Sequence, residues 1–122
     1  MANDFKRFTK PDVGTSTGAS ADAVYTVPAG AGSSALESIV IGITLANKST
    51  SGITASVFLD NYDGSNDVYI VKDATIPAGA SLEVMSGNKI VAMNNGTTGD
   101  VIRAEASAGS SIDVVLSVLE DV

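Results

Sequence analysis

Large aliphatic side chains recur at every second position through most of this chain, and no stretch of ten residues carries a capped helical stripe. Ile39, Ile41, Ile43 and Leu45 alternate with Ser38, Val40, Gly42 and Thr44. Successive side chains of a strand point to opposite faces, so this spacing predicts a ribbon with four large apolar residues on one side. Ile53, Ala55, Val57 and Leu59 repeat the pattern against Thr54, Ser56, Phe58 and Asp60. Ile112, Val114, Leu116 and Val118 do so again, with Val115 and Leu119 adding apolar surface to the opposite face. Apolar residues on both faces suit a central strand or an assembly contact.

Turn chemistry separates the ribbons. Pro28-Ala29-Gly30, Lys48 to Gly52, Pro77-Ala78-Gly79, Ser86-Gly87-Asn88 and Ala108-Gly109-Ser110 all break the alternation. Asn94-Asn95-Gly96-Thr97-Thr98-Gly99 is the strongest turn signal of all. Shorter ribbons are expected at Ala23–Val27, Val68–Val71, Leu82–Met85, Lys89–Met93 and Val101–Ala106. Many short strands at turn spacings of about 8–12 residues predict an all-β fold. The expectation is a single antiparallel β-sandwich, jelly-roll-like, of about eight strands, with a barrel as the alternative. Thr26 to Gly30 resembles Thr75 to Gly79, which is read as a convergent strand-ending turn rather than a sign of two halves. The chain's 122 residues suit one domain. Aromatics make up only 5%, so Val, Ile, Leu and Ala must build the core.

Residues 1–22 are expected to form an extended N-terminal arm, and 23–122 the sandwich. Phe5 and Phe8 have little apolar sequence around them, and Val13-Gly14-Thr15 could add a short strand. Lys6, Arg7 and Lys10 against Asp4 give the first ten residues a charge of +2. The remainder holds four basic and thirteen acidic residues, a net −9. A basic arm on an acidic body suits docking on an acidic neighbour, which makes Phe5, Lys6, Arg7, Phe8 and Lys10 the candidate partner-binding residues. The plain alternative is a solvated terminus. Binding to nucleic acid calls for clustered Lys and Arg and is not expected from a chain with pI near 4.2.

There is no cysteine and no histidine. That removes disulfides, thiolate nucleophiles, the Ser-His-Asp arrangement and the commonest metal ligand. Asp60, Asp63, Asn66 and Asp67 gather around Gly64, but their spacing differs from an EF-hand loop, and a plain Asx-rich turn is the expectation. Glu37, Glu83, Glu105 and Asp113 fall on outward strand positions and read as solvated surface charge rather than a glycosidase pair. Tyr25 and Tyr69 are expected to cover a sheet face. Asn47-Lys48-Ser49 and Asn95-Gly96-Thr97 match the glycosylation pattern but both fit turns. No nucleotide loop occurs, and no cofactor is expected. The longest apolar-leaning run, Ile39 to Ala46, is too short to span a bilayer, and Met1 to Phe8 does not read as a signal peptide, so synthesis in a cytoplasm is expected.

Several segments carry a family likeness: Val24-Tyr25-Thr26-Val27-Pro28-Ala29-Gly30, Ile41-Gly42-Ile43-Thr44-Leu45-Ala46-Asn47, Tyr69-Ile70-Val71-Lys72-Asp73-Ala74, Ile76-Pro77-Ala78-Gly79-Ala80-Ser81-Leu82, and Asp113-Val114-Val115-Leu116-Ser117-Val118-Leu119-Glu120. With Phe5-Lys6 and Val13-Gly14-Thr15, these resemble small virion structural proteins of tailed bacteriophages, especially those of marine bacteria and cyanobacteria. One departure is Ser86-Gly87-Asn88, where the pattern has Gly-Gly-Asp-Gln before Lys89-Ile90-Val91. The resemblance implies a non-enzymatic particle component located in the virion. The leading expectation is a capsid decoration protein that binds the major capsid protein and forms a homo-oligomer, a trimer being one form. A neck, tail or fibre-adaptor protein is the alternative, and a carbohydrate- or host-surface-binding module the third.

Overall fold

The computed structural model describes residues 3–62, 67–85, 87 and 89–121. Alternating apolar residues form strands at β1 (Asn3–Lys10), β2 (Asp22–Thr26), β3 (Leu36–Asn47), β4 (Ile53–Asp60), β5 (Asp67–Ile76), β6 (Ser81–Glu83), β7 (Ile90–Asn94), β8 (Val101–Ala106) and β9 (Ile112–Asp121). One sheet has the order β1-β9-β3-β6, with β7 paired to the other half of β3. The second runs β2-β8-β4-β5. Every pairing is antiparallel.

The two sheets pack face to face over an aliphatic core in which Val40, Ile43, Leu45, Val57, Ile102, Ile112 and Leu116 are fully enclosed. Each such side chain contributes about 1.5–3 kcal/mol of burial. The all-β sandwich expected from the alternation is therefore what forms. Its connectivity is more specific. Taking β6 and β7 as one interrupted strand, the two sheets hold strands 1-8-3-6 and 2-7-4-5, the winding of a jelly roll.

In β3 the expected face assignment is corrected. The sequence pattern put Ile39, Ile41, Ile43 and Leu45 on one side. Instead the pairing of β3 with β9 slips by one residue between Val40 and Gly42. This bulge inverts the alternation. Ser38 and Val40 share the inner face with Ile43 and Leu45, whereas Ile39 and Ile41 turn outward. The edge partner breaks at the same level. Val84 N–H still bonds to the Ile43 carbonyl, and pairing resumes only at Ile90 opposite Val40. The intervening segment buries Met85 in the core.

Residues 3–10 of the segment expected as an arm are a strand of the same body. β1 pairs with β9 along its whole length, from Asn3 opposite Asp121 to Lys10 opposite Val114. The chain then crosses between the sheets. Val13 N–H bonds to the Ile112 carbonyl in one sheet, and the Gly14 carbonyl accepts from Ala106 N–H in the other. Val13 is wholly buried at this crossing. A single 3-10 turn, Gly18–Ser20, leads into β2.

Candidate functional site

The register of the five-stranded sheet aligns four apolar residues across its outer face. Phe5 on β1 lies opposite Leu119 on β9, Leu119 opposite Ile39 on β3, and Ile39 opposite Val91 on β7. Paired residues of a sheet share a face, so the four side chains form one row. Phe5 is 79% exposed, Val91 53% and Ile39 38%. Met93, Ile41 and Val115 extend the apolar surface around the row. Glu37 and Asp121 flank it along the strands on one side, and Arg7 on the other. Exposed apolar rows with a charged border are typical of surfaces that another molecule covers.

The five candidate partner-binding residues divide between the two faces of β1. Phe5 and Arg7 are exposed on the outer face. Lys6 and Phe8 turn toward the body. Phe8 packs on Tyr25 of the opposite sheet, ring centroids 4.5 Å apart. Lys6 Nζ lies 2.8 Å from Glu120 Oε1. Lys10, at the strand end, is half-buried. On an edge strand, lysines and arginines also discourage sheet-to-sheet pairing with other chains.

Glu120 is not among the candidate residues above, although the period of β9 places it on the buried face. Its side chain is 1% exposed. Tyr25 Oη donates to Glu120 Oε2 at 2.6 Å, and Ser38 Oγ lies 3.1 Å from the same hydroxyl. The bond ties the four-stranded sheet to the five-stranded one. Burial first, and then donation to Glu120, push the Tyr25 phenol well above its usual range. Hydrogen bonding to Glu120 raises Lys6 in turn. Tyr25 is thus an interior residue rather than a surface cover, and a bulge beside it buries Val24 as well.

The acidic candidates have separate fates. Asp60 is held by Arg103, Nε to Oδ2 at 2.9 Å, while Arg103 Nη1 also donates to the Ala21 carbonyl. Asp67 pairs opposite Asp60 at the start of β5, and Asp63, Gly64 and Asn66 lie outside the described residues. Asp113 accepts from Asp12 N–H and pairs with Lys48 at 2.9 Å. Lys48 lowers the Asp113 carboxyl below the ordinary carboxylate range, with the Asp12 amide adding to the effect. Glu83 accepts from Thr44 Oγ1 on the outer face, and Glu37 is exposed there.

Glu105 corrects the expectation of solvated charge. It sits on the outer face of β8 yet is only 8% exposed. It lines a cleft of roughly 260 Å³ with Ser56, Asp73 and Thr54 and with Thr15 and Thr17 of the segment between β1 and β2. Ser56 is the register partner of Glu105. Ser56 Oγ accepts from Asp73 N–H at 2.8 Å and lies 3.4 Å from Asp73 Oδ1. Two residues of β5, Lys72 and Asp73, face the single Ser56 of β4 at a bulge, where Asp73 has a φ of 50°. Asp is among the few side chains that tolerate this region. Glu105 Oε2 has no hydrogen-bond partner among the described residues.

Beside the cleft, Phe58 is fully buried although it faces outward from β4. Tyr69 covers it at 5.1 Å between ring centroids, and the Lys72 amine sits 4.6 Å from the Tyr69 ring. No group of three or more acidic residues that could hold a metal occurs among the described residues. No helix among them is long and apolar enough to cross a membrane. No family model, curated protein or solved structure matches the chain.

Proposed function

We propose that this chain is a non-enzymatic structural subunit of a bacteriophage particle, specifically a capsid decoration protein seated on the major capsid protein lattice. The observation that carries the reading is the exposed row Phe5–Leu119–Ile39–Val91 across the five-stranded sheet. Its supports are the likeness of the strand and turn segments to virion proteins and the lack of histidine and cysteine chemistry. Jelly rolls also recur in viral capsid and lectin domains, which is support by analogy of fold. Phe5 and Ile39 seat on the partner's apolar surface, and Arg7 beside them pairs with its acidic groups. Assembly of this chain into a homo-oligomer multiplies modest contacts through effective concentration.

Particles purified from cells carrying the gene provide the test. The protein is expected in the particles at on the order of hundreds of copies, falling sharply for Phe5→Asp combined with Ile39→Asp. The double variant keeps its β-type circular dichroism because both positions are exposed. A copy number matching one ring moves the protein to a neck or tail. Absence from the particles defeats the proposal.

A further inference from the structure

The outer face of the four-stranded sheet holds a second feature that the assembly reading does not use. We infer that the cleft over Ser56 is a calcium site, with Glu105 and Asp73 as its two carboxylate ligands.

The argument begins with Glu105. A carboxylate removed from water is costly unless something compensates it. Glu105 is more than nine-tenths buried, its Oε2 lacks any partner among the described residues, and it lines an open cleft. No lysine or arginine is among the described residues that line the cleft. Lys72 lies over the Tyr69 ring and 3.6 Å from Asp73 Oδ2. The cleft therefore offers a buried negative group with an approach from solvent.

The strand register supplies the second ligand. Glu105, Ser56 and the Lys72–Asp73 bulge occupy three adjacent strands, β8, β4 and β5. Adjacent strands are about 4.8 Å apart, so the outer two are separated by roughly 9.6 Å. That span lets a Glu from one side and an Asp from the other reach one ion held above Ser56. The bulge and the bond from Asp73 N–H to Ser56 Oγ fix Asp73 in place.

The donor set identifies the ion. Every polar side chain in the lining, from Glu105 and Asp73 to the serines and threonines around them, offers oxygen. Oxygen-only sets select hard cations, and two carboxylates neutralise a divalent one. The described residues bring no third carboxylate, so serine and threonine oxygens and water complete the shell. Calcium accepts such irregular shells, whereas magnesium demands near-ideal octahedral geometry. Two charged ligands place the dissociation constant at about 10⁻⁴–10⁻³ M, the weak end of calcium sites.

The test is the melting temperature of the full chain in EDTA, 10 mM magnesium chloride or 10 mM calcium chloride, at one ionic strength. Calcium at about tenfold over its dissociation constant is expected to raise the melting temperature by roughly 5 °C, with magnesium giving much less. Glu105→Gln is expected to abolish the calcium increment. Asp73→Asn, an exposed position whose replacement also tolerates positive φ, is expected to do the same if Glu105→Gln folds poorly. Glu37→Gln, on the other sheet, keeps the increment. Calcium titration should also shift the amide resonances of Ser56, Asp73 and Glu105. No calcium-specific increment, or one that persists in both cleft variants, overturns the assignment. Neither result bears on whether the protein is found in particles.

Discussion

Replacing Tyr25 by Phe removes one hydroxyl and leaves the ring that packs on Phe8. That hydroxyl supplies the 2.6 Å bond to Glu120 Oε2 across the two sheets. Without it, a carboxylate oxygen inside the sandwich loses its donor. Bonds to buried charged groups are worth about 1.5–3 kcal/mol, so a loss of about 2 kcal/mol is expected. Unfolding entropy near 2.1 cal/mol/K per residue gives roughly 0.26 kcal/mol/K for 122 residues. The melting temperature should then fall by about 8 °C in calorimetry at pH 7. In a Glu120→Gln background the same Tyr25→Phe change should cost less, giving a coupling of about 1 kcal/mol in the cycle. High pH offers an independent reading. The Tyr25 phenol is raised in the folded state, so its contribution is complete below the unfolded value near 10 and is lost as pH climbs above it. Lys6, also raised, acts in the same direction above its unfolded value of 10.5. Tyr25→Phe should therefore flatten part of the alkaline loss of stability. A variant melting within about 2 °C of the parent, with an unchanged alkaline limb, would refute the inter-sheet bond as a determinant of stability.

Four other outcomes are expected. Gly99→Ala places a Cβ against the Val27 carbonyl oxygen and 2.8 Å from Asn94 Nδ2, so it should destabilise by about 2–3 kcal/mol in urea unfolding. Asp113 should titrate below its usual 3.8 by carboxyl NMR, and Lys48→Met should move it back up. Because that pKa is depressed, the pair's support is present above pH 3.8 and is lost as pH falls through the folded value, so the variant should show a weaker acid limb. Deleting residues 1–10 strips β1 from β9 and uncovers Tyr25 and Glu120, and the urea midpoint should drop clearly. Asp100→Ala removes the carboxylate that accepts from both Tyr62 N–H and Met93 N–H, and should cost about 1–3 kcal/mol.

Most strands were legible because a two-residue period survives wherever one face is buried. β8 falls on its expected bounds, β3 extends the alternation seen at Ser38 to Leu45 by two residues at each end, and β9 runs two residues past Leu119. β5 runs to Ile76, well past the expected Val71, because pairing with β4 resumes beyond its bulges. β1 was not expected as a strand, since Phe5-Lys6-Arg7-Phe8 is charged and meets its partner more than a hundred residues away. Glu120 and Glu105 were missed as buried groups for opposite reasons. Glu120 lies in phase with Leu116 and Val118, a signal present in the sequence, but its partners Tyr25 and Lys6 are distant in the chain. Glu105 lies out of phase with the core, and shares its cleft with Thr15 and Thr17, about ninety residues away in the chain.

The amino-acid order alone determined that aliphatic ribbons joined by Gly, Asn and Pro bends would close into two packed sheets, because alternation and turn propensity act between near neighbours. Which aliphatic residues face outward was settled only in three dimensions. One bulge at Val40–Gly42 turned Ile39 and Ile41 from core candidates into parts of the exposed apolar face, and a bulge forms through the partner strand's register. The cleft around Glu105 has the same origin, since a carboxylate's solvation depends on what the rest of the chain lays over it.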